Sequence, residues 1–283
     1  MQSLLPFPLP RSVGIIGFGA FGRLMARHLA PHVPVLAHDP APVFSDTAIP
    51  GVIRASLEEA AGCPVVVLAC PVDRLAEAVA AIAPHLVPGA LVLDVASVKL
   101  MPAEIMHAGL PLHVDVIATH PLFGPESARE GIRGLRIALC PLRGGRRLGL
   151  VRAFLSDVLG LDVIPTSADE HDRQMAAVQG LTHMIARLLM RLEPLPSRMT
   201  TRSFDLMMQA VGMVRHDAPE VFDAIERMNP HAAGVRRQFF GLSAELEREL
   251  ARPVLQVIEG GEGKPREPIP GLRNPPACSG SIA

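Results

Sequence analysis

An apolar run that leads straight into three spaced glycines constrains this chain most: VGIIGFGAFGRLMARHL, Val13 to Leu29. Gly17, Gly19 and Gly22 follow a β-rich stretch and open a helical one. That is the context in which a G-x-G-x-x-G turn holds a dinucleotide against a helix N-terminus. Gly17 is expected to permit the tight turn and Gly19 to let backbone N–H groups approach a pyrophosphate. Gly22 is expected to let helix and sheet pack closely. Phe18, Ala20 and Phe21 complete the expected cofactor loop.

The rest of the first half repeats this alternation. From Ser12 to Thr166, short apolar runs (VPVLAHD, PVVVLAC, ALVLDVAS, VDVIATH, LRIALC, LDVIPTS) are separated by amphipathic pieces such as DRLAEAVAAIAPHL. Strands apolar on both faces and separated by helices predict a doubly wound, Rossmann-type parallel sheet over residues 12–166. At Ser167 the pattern changes. Ser167 and Glu170 form a capping-box pair, and helical periodicity then runs to Pro194. Further helices are expected from Phe204, Pro219 and Pro230, with Asn229 and Pro230 at N-cap and N1 of the last. An apolar stripe of Val235, Phe239, Leu242, Leu246 and Leu250 follows. This all-helical domain, 167–258, is too small to bury much alone, so it is expected to pack on the first domain and to form a homodimer. Residues 1–11 read as a tail, and the Gly/Pro-rich 259–283 as a disordered one.

Charge and cysteines exclude several classes. With a net charge of −1 and a pI near 6.8, the chain has no basic footprint for nucleic acid or a membrane surface. Cys63, Cys70, Cys140 and Cys278 lack metal-ligand spacing, which fits a reducing cytoplasm and no metal. The opening MQSLLPFPLPR lacks the pattern of a signal peptide, and no apolar run is long enough for a membrane span.

Asp39 ends the second strand about 20 residues after the glycines, where a carboxylate accepts from an adenosine ribose. Alone it would read as a turn residue before Pro40. A carboxylate there repels a 2′-phosphate, and HDPAPVFSD offers no arginine, so NAD is expected over NADP. Ligands of such sheets lie beyond the strands' carboxyl ends. Those ends carry Cys70-Pro71, which either line the nicotinamide pocket or include a small buried cysteine. They also carry Ser97, Lys99 (counted with the cofactor residues) and His120. A hydroxyl and an imidazole on neighbouring strand ends make a proton-handling pair.

GFGAFG, DVASVK, THPLFGPES, EHD (Glu170–Asp172) and QGLTHMIAR occur together in this order. In order and spacing they resemble the prephenate/arogenate dehydrogenase family, most closely the plant-type arogenate dehydrogenases. The resemblance covers residues 12–250. It implies NAD-linked oxidative decarboxylation of a cyclohexadienyl acid in tyrosine biosynthesis. His120 would be the base, and Ser97 would orient the ring hydroxyl. His183, one turn after Gln179 on the same helix face, would bind substrate carboxylate. Glu126 is read as a gate or as a solvated loop carboxylate, and His171 as support for the domain junction.

In two places the chain departs from its relatives. Gln209 stands near the position where prephenate-specific members carry an arginine, and Asp217 falls where an acidic residue favours the ammonium of arogenate. Asp217 also reads as a helix cap ahead of Pro219. Asp39 is unlike the NADP-using plant enzymes. The alternatives are a β-hydroxyacid dehydrogenase, which needs a lysine that the stretch from Glu170 to Met190 lacks, and a non-catalytic dinucleotide sensor.

Overall fold

The computed structural model describes residues 9–41 and 49–252. The expected tail 259–283 and most of 1–11 lie outside the described residues. In chain order the elements begin β1 (Val13–Ile16), α1 (Ala20–Leu29), β2 (Val35–His38), β3 (Val52–Arg54), α2 (Leu57–Ala61) and β4 (Val65–Leu68). They continue with α3 (Leu75–Ile82), β5 (Leu91–Asp94), α4 (Leu100–Gly109), β6 (Asp115–Pro121), β7 (Arg136–Arg143), α5 (Leu148–Ala153) and β8 (Asp162–Pro165). Four helices follow: α6 (Ala168–Arg191), α7 (Arg202–Val214), α8 (Pro219–Asp223) and α9 (Ala232–Leu250). Two compact units divide the chain, 1–239 and 240–283.

Among the described residues the strands form one sheet of order β3-β2-β1-β4-β5-β6-β7-β8. β1 and β4 are central and almost wholly buried, as their unbroken apolar sequences require. Val66, Leu68, Val92, Val116 and Ala118 pack with residues of α2, α3 and α4 on one face. Ile15, Val35 and Val67 pack with Ala26 of α1 on the other. The sheet is parallel as expected, save for one pair: β7 runs antiparallel to β6. The reason is local. Residues 122–135 contain turns but no helix to carry the chain back across the sheet, so it returns beside the strand it has just left. β3 was not expected, because three residues ending in Arg54 leave no readable pattern.

Capping also differs from expectation in one detail. Ser167 accepts from the backbone N–H of Glu170 at 3.2 Å, but the Glu170 carboxylate turns away to Arg173 and Gln174. The reciprocal box forms instead at Ser56 and Glu59, at the start of α2. At the last helix, Asn229 accepts from the N–H of His231, and regular α9 begins at Ala232.

One difference in strand length positions the site. Pairing of β5 with β6 ends at Asp94 opposite Ala118, whereas pairing of β6 with β7 continues to Pro121 opposite Ile137. Thr119, His120 and Pro121 therefore overhang the end of β5. In the unit 240–283, the described part of α9 leaves Leu242, Leu246 and Leu250 exposed.

Candidate active site

The glycine loop has the geometry its sequence demands. Gly17 has φ +99°, and a Cβ there would lie 2.6 Å from the Ala69 carbonyl oxygen. At Gly22 a Cβ would lie 2.2 Å from the oxygen of Gly17, so only glycine allows α1 to start this close to the turn. Above Gly19 there is open space. No side chain caps the N-terminus of α1, and its first turn holds no acidic residue. Its free N–H groups and helix dipole fit an anionic pyrophosphate. The Asp39 carboxylate reaches this loop: one oxygen accepts from the N–H of Phe18 at 2.6 Å, the other from Ala41 at 2.9 Å. It thus acts as a turn residue and still stands at the cofactor loop. Phe21 packs its ring 6.2 Å from that of Phe123, so its contribution to the loop is by backbone.

Cys70 and Pro71 follow β4 beside Gly17. Burial pushes the Cys70 thiol up to about 11, which keeps it a neutral wall residue. Lys99 lies between β5 and α4. It is completely buried, and its ammonium pairs with Asp94 and the carbonyl oxygen of Thr119. Asp94, equally buried, also accepts from the N–H groups of Ala96 and Thr119. This ion pair clamps the ends of β5 and β6 together directly before His120.

His120 is 4% exposed. Burial first, then the neighbouring His171 ring and the Lys99 ammonium, hold its pKa well below the usual imidazole value. It is therefore a neutral base. Its Nδ1 lies 2.8 Å from Nε2 of His171, and its Nε2 lies 3.5 Å from the side-chain nitrogen of Gln179. The Gln179 side-chain oxygen is buried without a partner. A buried amide oxygen left unbonded costs free energy, and a ligand hydroxyl would satisfy it.

One turn on, both ring nitrogens of His183 face oxygen acceptors. Nδ1 lies 2.9 Å from the Gln179 carbonyl and Nε2 3.1 Å from Asp217. Asp217 does not cap α8, whose N-cap is Ala218 with no side-chain bond. Its other oxygen faces Gly124 of the THPLFGPES turn, 3.7 Å from where a Cβ would stand. That turn is closed by Ser127, whose hydroxyl accepts from the N–H of Gly124. Glu126 is held by Arg129 in an exposed ion pair at 2.9 Å, a bond weak enough to exchange. Ser97 is half-buried. Gln209 is exposed on α7.

The fold thus brings together His120, Gln179, His183, Asp217 and the loop at Gly124. Asp94, Lys99, His171 and Asp172 make buried contacts behind them in roles the sequence did not disclose. Signals existed for two of them. A charged residue ending an apolar strand and an acid at the start of a long helix both ask for buried partners.

Residues 31–163 match the sequence family described as "Prephenate dehydrogenase, nucleotide-binding domain". The chain is 29% identical over 266 residues to "Arogenate dehydrogenase 1, chloroplastic" of Arabidopsis thaliana, covering 85% of this chain and 41% of that protein. It is likewise 29% identical over 266 residues to "Arogenate dehydrogenase 2, chloroplastic" of the same plant, covering 88% and 74%. The fold is similar to that of a solved prephenate dehydrogenase from A. aeolicus, in complex with hydroxyphenyl propionate and NAD+. The TM-score is 0.66 and the identity 21%, over 90% of this chain and 96% of that one.

Proposed function

We propose, from the premise that the nucleotide-binding region 31–163 belongs to the prephenate dehydrogenase family, that this chain oxidatively decarboxylates arogenate and/or prephenate with NAD in tyrosine biosynthesis. The observation that carries this reading is His120, a buried imidazole beyond the end of β5 whose Nε2 lies 3.5 Å from the Gln179 side chain, with His183 bonded to Gln179 and Asp217; these four are proposed to line the substrate chamber. The loop Gly17–Gly22, with Asp39 and the wall at Cys70 and Pro71, would hold the dinucleotide, which when bound accepts hydride from the hydroxyl-bearing ring carbon.

The chain's own residues manage position and one proton. Ser97 and the Gln179 amide orient the ring hydroxyl toward Nε2 of His120, which takes its proton as the C–H bond breaks. The ring carboxylate then leaves as CO₂, its bonding electrons aromatise the ring, and the proton returns to the phenolic oxygen. Aromatisation supplies the driving force, so the protein's share is placement and proton handling. His183 would bind a substrate carboxylate through Nε2, in exchange for its present contact with Asp217. Asp217, beside it, complements an ammonium, which favours arogenate.

The test is NADH formation by pure protein with NAD+ or NADP+ and either acid; no reduction with any pairing removes the proposal. Asp39→Ala is expected to narrow the preference for NAD over NADP, measured as the ratio of kcat/KM, by about tenfold, the scale of one to two kcal/mol for a hydrogen-bonded carboxylate. An unchanged ratio would leave Asp39 only its turn with Ala41.

The helical part is proposed to form a homodimer. Val178, Ile185, Leu188 and Leu192 make an exposed apolar line along α6 at spacings of seven, three and four. The division into cofactor and helical domains near residue 166 and a cytoplasmic setting belong to the same proposal. No helix among the described residues is long and apolar enough to cross a membrane.

A further inference from the structure

His171 and Asp172 sit where no substrate group is needed, yet they are among the most buried polar residues in the protein, at 3% and 0% exposed. His171 lies with its ring centroid 5.0 Å from that of His120, the planes inclined at 68°. Its Nε2 lies 2.8 Å from Nδ1 of His120, and its own Nδ1 lies 2.8 Å from Asp172. The Asp172 carboxylate also accepts from the backbone N–H groups of Lys99 at 2.7 Å and Leu100 at 2.9 Å. Those two groups begin α4, which has no acid in its first turn and no side-chain cap of its own. Asp172 is thus an anion fixed by three donors at a helix N-terminus.

For a neutral His171 the proton positions follow by elimination. A carboxylate only accepts, so Nδ1 of His171 carries hydrogen and its Nε2 presents a lone pair. That lone pair faces Nδ1 of His120, which must then donate. Nε2 of His120 is left as the acceptor, and it points at Gln179 in the chamber.

We infer that Asp172 and His171 form with His120 a buried Asp–His–His relay. The relay holds His120 in its Nδ1–H tautomer and offsets the charge that the ring gains when it takes the substrate's proton. In that step the substrate O–H bond breaks and an Nε2–H bond forms on His120. The positive charge is shared with His171 through the 2.8 Å bond and faces the Asp172 carboxylate, which stays unprotonated. His171 and Asp172 are positioning residues, since both act through His120. The inference rests on the proposed dehydrogenase reading, and it makes His171 more than support for the domain junction.

NMR of ¹⁵N-histidine-labelled free protein tests the tautomer without substrate. His120 is expected to carry hydrogen on Nδ1, and hydrogen on Nε2 overturns the relay. Kinetics test the rest. His171→Phe removes the acceptor and is expected to lower kcat by about 10²-fold or more, with KM little changed. In His171→Gln a side-chain oxygen can still accept from Nδ1 of His120, so it is expected to recover much of that loss. Equal losses in the two variants would mean that the ring only fills space, and the relay would fall. If wild-type protein reduces no cofactor with either acid, the dehydrogenase reading fails while the tautomer result stands.

Discussion

Replacing His120 with alanine is expected to lower kcat by roughly 10²–10⁴, the range of a lost general base. On the transition-state scale that is about 3–5 kcal/mol. The variant should still bind NADH as tightly as wild type in a fluorescence titration, because the glycine loop and Asp39 make no hydrogen bond to this ring. The same geometry sets the pH response. Activity needs the neutral ring, and burial lowers its pKa well below the ordinary 6.5. As pH falls, wild-type kcat/KM should therefore hold through 6.5 and drop only below it. The residual activity of His120→Ala should lack that acid limb. A variant with near-wild-type turnover would remove His120 from the chemistry.

Lys99→Ala is expected to be the most destabilising single change, costing about 3–5 kcal/mol in urea unfolding. The reason is what it leaves behind. Asp94 would keep its two backbone donors, Ala96 and Thr119, but would stand fully buried without a counter-ion. The carbonyl of Thr119 would also lose its donor, and the overhang that carries His120 would loosen, so kcat should fall as well. Pairing Lys99→Met with Asp94→Asn removes both charges and should recover most of the stability, since neutral groups of similar volume often replace a buried pair at little cost. A single mutant as stable as wild type would mean that Lys99 is not paired in solution.

How legible was all this in the sequence? The cofactor half was nearly complete there, because its determinants are local. Gly17 to Gly22 and the run of strands are read within short windows, and Asp39 follows at a fixed remove. Only the direction of β7 escaped, since the absence of a crossover helix in 122–135 reverses a strand without altering its apolar pattern. Within the site, His120 was read from its strand end and Gln179 and His183 through the family resemblance; the Gln179 side chain lies 3.5 Å from His120, and His183 bonds the Gln179 carbonyl. The contacts that support them were not legible. Asp172 reaches Lys99 and Leu100 across some seventy residues of chain, and no local rule pairs them. The buried partner of Lys99 was hidden for a related reason. A lone lysine after a strand looks ligand-facing until its buried partner, Asp94, is located.

The overhang of β6 also has an arithmetic consequence. Val116 and Ala118 turn toward α4, while Ile117 packs on the opposite side. His120 shares the parity of the first pair, and that alone aims it at α6. Losing or gaining one residue between Asp115 and Thr119 would present threonine or proline to the chamber and turn the imidazole to the far face. A change of two residues would keep the face and displace the ring by about 6.6 Å along the strand. Here the strand tolerates length only in even steps, and insertions and deletions that survive should be confined to the turn beyond Pro121.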